Sequence, residues 1–490
     1  MYIVHIASEC APVAKAGGLA DVVFGLAREL EIRGHSIEII LPKYDCMRYG
    51  HIYGLQETYR DLWVPWDGGA IHCTVWFGFV HGRKCFFIDP HSSQQFFNRG
   101  LMYGAHDDDL RFAFFSRAAM EFLWKSGKHP DVIHIHDWQA GLVPVLLYDV
   151  YAPMGMRHPR VCFTLHNLKH QGVTGRHVLH AAGLHRPEHY LHFDRLGDPG
   201  HPGAVNLMRG GIVYSNFVTT VSPHYAWEVQ NTDQGFGLNH LLWTHSRKFG
   251  GVLNGVDYEI WNPEIDPHLA QRYGVDTLDD KYANKTALRH RLLLREVYRP
   301  IVAFIGRLDH QKGVPLIRHA LHWCAGGGAQ FVLLGSGNDP GIQNEFHHLK
   351  RVFNDNPDVH LELGFDEDLA HLIYAGADLL LVPSLFEPCG LTQLIALRYG
   401  TIPIVRAVGG LADTIFDADF ASKPYAERNG YVFNDFNNAG IESALVRAVG
   451  LWDHYPKHFR ELMENAMRYD YSWNRPGQDY VNIYELIRDK

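Results

Sequence analysis

Lys15-Ala16-Gly17-Gly18 follows the apolar run "YIVHIASE" and leads into "VVFGLAREL". Paired glycines let the backbone come close to a ligand. The first amides of a helix starting near Leu19 favour an anion, and Lys15 adds a flexible point charge. The same string also reads as a plain strand-to-helix turn. "GRLDHQKG" sets Arg307 and Lys312 five residues apart at the end of "IVAFI". In a loop the two cations could converge on one diphosphate, the Arg as a fork and the Lys as a point; apart, they are two solvated charges. "FEPCGLTQ" puts Glu387 at the end of the apolar run "LLLVPSLF", with Pro388 stopping the strand's ladder. Gly390, Leu391 and Thr392 then open another helix. A carboxylate there either accepts hydrogen bonds from hydroxyl groups or caps the helix.

Two further apolar runs end in polar residues. "HIHDWQAG" carries His136 and Asp137, and "FTLHNLKHQG" carries His166 and Asn167. Each is either a satisfied structural residue or a polar contact in a ligand cleft. "HDDDL" spaces Asp107 and Asp109 as metal ligands are spaced, but it begins a strong helix, where acids cap and complement the dipole. No metal is expected, and neither Gly-x-Ser-x-Gly nor a zinc-type cysteine spacing occurs.

These residues need a frame that brings them to one edge. Near-continuous Val/Ile/Leu runs alternate with helical patterns along the chain, as in "SIEIILPKYD", "DVIHIHDW", "RVCFTLHN", "FVTTVSP", "QFVLLGSGN" and "TIPIVRAVGG". Strands of this kind belong to parallel sheets covered on both faces. Two such series predict an α/β protein with two doubly wound domains. The boundary is expected near residues 253–267, "LNGVDYEIWNPEIDP"; a polar stretch follows, and the second domain proper begins near Ile301. "GGLAD" occurs at 17–21 and again at 409–413. Either this is coincidence, or each domain aims one helix N-terminus at the carboxyl ends of its strands, where such sheets bind ligands.

The chain has 490 residues, 46% hydrophobic and 20% charged, with a formal charge of −9 and no long basic run. A globular class follows, and nucleic acid is not an expected partner. Seven cysteines without paired spacing suit a reducing compartment. No apolar run reaches about 18 residues, so no membrane span is expected. Met1 precedes the first strand by one residue, which leaves no room for a leader; a cytoplasmic location is expected, or a plastid stroma for a mature plant chain. Nothing in the sequence sets an oligomeric state.

Taken together, the chain resembles the retaining glucosyltransferases that make bacterial glycogen and plant starch. The resemblance rests on "KAGGLADVV", "HIHDWQAG", "FTLHNLKHQG", "TTVSPHYA", "GVLNGVD", "GRLDHQKG", "VPSLFEPCGLTQ" and "AVGGLADT", in that order. "LPKYDCM" and "FFNRGLMYGAHDDDLRF" point to cyanobacterial enzymes related to starch synthases III and IV.

The resemblance implies a GT-B architecture, two Rossmann-like domains facing across a deep cleft. Residues 1–257, joined by a C-terminal helix at 472–490, would hold the acceptor, an α-1,4-glucan. Residues 258–471 would hold the donor, ADP-glucose, with UDP-glucose as the alternative. No cofactor is implied. Carried over by motif, Arg307 and Lys312 would neutralise the departing diphosphate, helped by Gly17, Gly18, Leu391 and Thr392, with Lys15 close by. Glu387 would hold the donor glucose, with Cys389 and Gly390 beside it. Asp137, His166, Asn167, Asn254 and Tyr103 would line the glucosyl and acceptor side. Asp21 would orient Lys15 or the donor, and Tyr374 would pack near the adenosine.

There are departures from the family pattern. Ile395 stands where relatives often place a second Glu, Ala407 where a Thr is common, and Arg209 where a Lys is common. Without a clear carboxylate behind the anomeric carbon, the expected route is front-face attack, with His166 stabilising the positively charged sugar. A dinucleotide oxidoreductase would need a Gly-x-Gly-x-x-Gly that is missing in context. A non-catalytic glucan-binding protein should have lost Lys15, Arg307, Lys312 or Glu387; all four are present.

Overall fold

A computed structural model gives the fold and describes residues 1–489. The chain forms two compact units, one of residues 1–254 together with the chain from Trp473 onward, the other of Gly255–Ser472.

The first unit contains β1 (Tyr2–Ile6), β2 (Ser36–Pro42), β3 (Ile52–Trp66), β4 (Gly69–Val80), β5 (Arg83–Pro90), β6 (Val132–His136) and β7 (Arg160–Leu165). A short pair, β8 (Val173–Gly175) with β9 (Ala204–Asn206), stands apart, and β10 (Phe217–Thr220) and β11 (Phe249–Gly251) follow. The main sheet runs β11-β10-β7-β6-β1-β2-β5-β4-β3. The six strands from β11 to β2 are parallel, and β5 joins β2 in parallel; β4 is antiparallel to both β5 and β3. The expectation of a purely parallel sheet is therefore corrected at this edge. Asp67-Gly68 joins β3 to β4 and His81-Gly82 joins β4 to β5, all four residues with positive φ. Two-residue turns of this type close antiparallel hairpins, whereas a parallel return needs a long crossover. β3 also escapes the apolar pattern because it is the edge strand, and most of its first ten residues are exposed.

The terminal helix, Asn474–Arg488, belongs to this unit. The Trp473 indole fills the space over Gly25, where a Cβ would lie 2.1 Å from Nε1. Arg33 donates to Gln478 Oε1 at 2.6 Å and to Asn474 Oδ1 at 2.8 Å.

The second unit has a six-stranded parallel sheet of β12 (Ile301–Arg307), β13 (Gln330–Ser336), β14 (Val359–Leu363), β15 (Leu379–Val382), β16 (Ile402–Arg406) and β17 (Tyr431–Phe433). Its order is β14-β13-β12-β15-β16-β17. The polar stretch before Ile301 is part of this unit's interior. It forms the Lys281–Leu292 helix, whose Lys285 pairs with the buried Asp378 at 2.7 Å. Lys281 donates to the Ala375 carbonyl and the Thr401 hydroxyl, and burial pushes its pKa down to about 7. Among the described residues, no helix is long and apolar enough to cross a membrane.

Candidate active site

In the first unit the polar residues collect after β1, β6 and β7, at the carboxyl ends of three adjacent parallel strands. The Gly18–Ile32 helix starts at the paired glycines, with Gly17 in an extended conformation as its cap. Glu9, at the end of the "YIVHIASE" run, fixes this turn. Its Oε2 accepts from the amides of Ala16 at 2.7 Å and Gly17 at 2.9 Å. Tyr103 donates to the other oxygen at 2.7 Å, and Ser8 bonds Tyr103 at 2.8 Å. Tyr103 thus acts on the turn through Glu9. Two amides of the turn are already taken, and Gly18 is the first beyond Glu9's reach. Lys15 pairs with Asp21 at 2.7 Å on the exposed side of the turn.

Asp137 follows β6 with φ 54° and ψ −179°, a region that side chains other than glycine's rarely occupy. Its Oδ1 accepts from the His166 amide at 2.6 Å and the Asn167 amide at 3.3 Å, tying the end of β6 to the end of β7. Burial raises its pKa to about 7, against the opposing pull of those two amides. Burial also lowers His166 to about 3, so its imidazole is neutral. A neutral ring does not repel a developing sugar cation, but it brings no charge to attract one. Asn167 Oδ1 accepts from the Lys169 amide at 3.0 Å. Asn254 is buried with no partner for its Oδ1, a cost of roughly 1–3 kcal/mol unless something else donates to it. The acids near the Asp108–Lys125 helix serve structure: Asp107 pairs with Arg99, Asp108 accepts from the Gly104 amide, and Asp109 accepts from the Thr174 hydroxyl.

In the second unit, Arg307 ends β12 and pairs with Asp309 at 3.1 Å, largely in solvent. Lys312 turns the other way. Its Nζ lies 2.6 Å from Glu387 Oε2, which also accepts from the Ser384 hydroxyl at 2.8 Å. Two residues assigned to different parts of the donor are therefore one ion pair, while Arg307 stands with another partner. β15 ends at Val382, so Glu387 lies in a loop and Pro388 does not stop the ladder; Pro383, directly after the strand, is placed to do that. Gly390 has φ 74° and precedes the Thr392–Arg398 helix, capped by Leu391. Gln393 Nε2 bonds the carbonyls of Cys389 and Gly390, both at 2.9 Å, and Cys389 is buried behind the loop.

A family model described as the starch synthase catalytic domain matches residues 2–244, and one described as glycosyl transferases group 1 matches residues 290–463. "Glycogen synthase 2" of Methylococcus capsulatus is 68% identical over 486 residues, covering 99% of this chain and all of that one. "Probable glycogen synthase 2" of Nostoc sp. is 60% identical, with both chains covered in full. The chain belongs to the glycogen and starch synthase family. A solved structure, the catalytic domain of starch synthase IV from Arabidopsis thaliana bound to ADP and acarbose, superimposes with a TM-score of 0.97 at 45% identity, covering 100% of this chain and 99% of that one. The fold is accordingly the two-domain GT-B type, and the chain is a glycosyltransferase.

Tyr374, expected near the adenosine, is a buried residue. It lies 3% exposed in the core of the second unit, its ring against Trp261 and Tyr399. The Glu367–Gly376 helix turns that residue inward. The site residue that the motifs did not supply is Glu9. Its signal was a carboxylate at a strand end just upstream of a glycine turn.

Proposed function

We propose that this chain transfers glucose from ADP-glucose to the non-reducing end of an α-1,4-glucan with retention of configuration, in the cytoplasm. The observation that carries this reading is the Lys312–Glu387 pair beside the helix start at Leu391 and Thr392. A cation, a carboxylate and helix-terminal amides in one loop cluster suit a ligand that joins a diphosphate to a ring of hydroxyls. The ADP and acarbose in the starch synthase IV structure support the same pair of ligands, since ADP is what remains after ADP-glucose gives up its sugar.

Breaking the bond between the anomeric carbon and the diphosphate builds charge on the leaving oxygen. Lys312, Arg307 and the amides of Gly18, Leu391 and Thr392 would stabilise it, and losing one such donor should cost about 3 kcal/mol of barrier. Lys312 has three donor hydrogens, so bonding Glu387 leaves it two to offer a phosphate oxygen. Glu387 would accept from the glucose hydroxyls. Asp137 and Asn254 lie on the side assigned to the acceptor. Neither carboxylate assigned to the site is poised as a nucleophile: Asp137 Oδ1 is held by two amides and its pKa is near 7, and Glu387 is held by Lys312 and Ser384. This favours front-face attack, with the acceptor's proton passing to the departing phosphate.

The test offers equal ADP-glucose and UDP-glucose with maltotriose as acceptor and follows both nucleotides and the new linkage by NMR. ADP release with an α-1,4 bond is expected. Consumption of neither donor would leave a binding protein, preference for UDP-glucose would change the donor, and a trapped glucosyl-carboxylate would end the front-face route.

A further inference from the structure

Behind His166 lies a row of buried histidines that the mechanism above does not use. His5 on β1, and His134 and His136 on β6, project from the same face of the sheet, since His5 and His134 are paired in register and His136 is two residues on. His136 Nδ1 lies 3.0 Å from His166 Nε2, and His136 Nε2 lies 3.1 Å from His5 Nδ1. The corresponding ring centres are 5.3 and 5.4 Å apart. Those spacings are about the nitrogen–nitrogen distance plus two ring radii, so each pair meets nitrogen to nitrogen. This is hydrogen bonding end to end, unlike the true stacking of His134 on His136 at 4.3 Å. His5, His134 and His136 are also close enough to suggest a metal site. The geometry argues against one. The facing nitrogens of His5 and His136 are taken up by their own hydrogen bond, and both nitrogens of His134 are engaged, by Tyr484 and Thr164 at 2.7 Å each.

Three neutral imidazoles joined by two bonds allow only two arrangements of their protons. In one, every ring carries its proton on Nδ1: His5 donates to His136, His136 donates to His166, and the outer nitrogen of His166 is an N–H. In the other, every proton is on Nε2, the bonds run the opposite way, and His166 offers a lone pair outward. His5 Nε2 decides between them, because it is buried and has no hydrogen-bond partner. The first arrangement leaves an unpaired acceptor there. The second leaves an unpaired buried N–H, which proteins tolerate less. We propose that His136 and His5 are positioning residues that hold His166 as the neutral Nδ1–H tautomer, so that it presents a hydrogen-bond donor to the glucosyl group and cannot serve as a base there. The donor's target rests on the function proposed above; the tautomer does not. It also fits the proton route, since a base at His166 would compete with the departing phosphate for the acceptor's proton.

The experiment uses the full chain with 15N-labelled histidine at pH 7, reading the tautomers by long-range proton–nitrogen NMR, with resonances assigned from single variants. Protons on Nδ1 of His5, His136 and His166 are expected; a proton on Nε2 of His166 in the wild-type protein overturns the proposal. The second measurement compares His5→Leu with His5→Asn. Leu removes the first donor, so His166 should show a mixture of tautomers and kcat should fall about three- to tenfold with KM for ADP-glucose unchanged. Asn restores an N–H close to the Nδ1 position and should recover most of the rate. Equal kcat in the wild type and both folded variants overturns the proposal. Loss of all transfer activity in the wild type, with the Nδ1 tautomers intact, would instead overturn the proposed function alone.

Discussion

Gly-Gly-Leu-Ala-Asp begins a helix at 17–21 and again at 409–413, yet the space above the glycines differs. A Cβ built on Gly17 meets nothing within 4 Å. One built on Gly409 would sit 1.9 Å from the Glu387 carbonyl oxygen, and one on Gly410 would sit 2.2 Å from that of Cys389. The Gly410 amide donates to the Glu387 carbonyl at 3.0 Å. The second turn is thus filled by its own protein and holds the loop that carries Glu387, while the space above Gly17 is open. The charges beside the turns differ in the same sense. Lys15 and Asp21 are 41% and 31% exposed, whereas Lys312 and Glu387 are 18% and 8% exposed. Around the first turn the buried groups are mostly neutral imidazoles and a carboxyl of raised pKa; behind the second there is a buried ion pair. One local sequence serves two purposes, and contacts from distant residues decide which.

Breaking the buried pair should give the largest effect. Lys312→Ala leaves Glu387 buried and uncompensated, which should cost about 3–5 kcal/mol of stability in denaturant unfolding. It should also lower kcat about 100- to 1,000-fold. Pairing it with Glu387→Gln should restore most of the stability and none of the rate. Recovery of both would make the pair purely structural.

Acid separates the two regions next. His5 and His166, both lowered to about 3, stabilise the fold above their ordinary pKa of 6.5 and lose that contribution as pH falls toward 3. Asp137, raised to about 7, works the other way, and its contribution is lost as pH rises from about 4 to 7. The first unit should therefore loosen before the second between pH 6 and 4, as read by hydrogen exchange corrected for intrinsic rates. Asp137→Asn removes the opposing group. Relative to wild type it should gain up to about 4 kcal/mol as pH rises from 4 to 7. A pH-independent difference would mean that Asp137 is an ordinary surface-like acid.

Gly409→Ala comes third. It combines φ 47° with a backbone collision, so a loss of about 2–3 kcal/mol in thermal unfolding is expected, with reduced kcat as the Glu387 loop shifts.

The strand runs were readable because parallel strands buried on both faces must be apolar; β1, β6, β12 and β15 could hardly be anything else. β3 was not, because an edge strand has little to bury. The Lys281–Leu292 helix hid for the opposite reason: its lysines are interior, satisfied by Asp378 and by carbonyls far along the chain. At the site, residue types at strand ends were visible, and partners were not. Lys312 and Glu387 are 75 positions apart. Nothing local ties Asp137 to the amides after β7, makes Glu9 the clamp of the first turn, or turns Tyr374 into the core.

The smallest effect sharpens the comparison most. Gly17→Ala meets no steric barrier, and its φ of −154° suits any residue. As a cap, Gly is modestly better than Ala, so stability should fall by less than about 1 kcal/mol. If the open space is where a diphosphate approaches, the added methyl should raise KM for ADP-glucose several-fold while leaving the affinity for maltotriose alone. The matching change at the filled turn, Gly409→Ala, should do the reverse, lowering stability and kcat more than it alters KM. Should the two alanines behave alike, the first turn is scaffolding too, and the donor's phosphates would have to be held by the second unit alone.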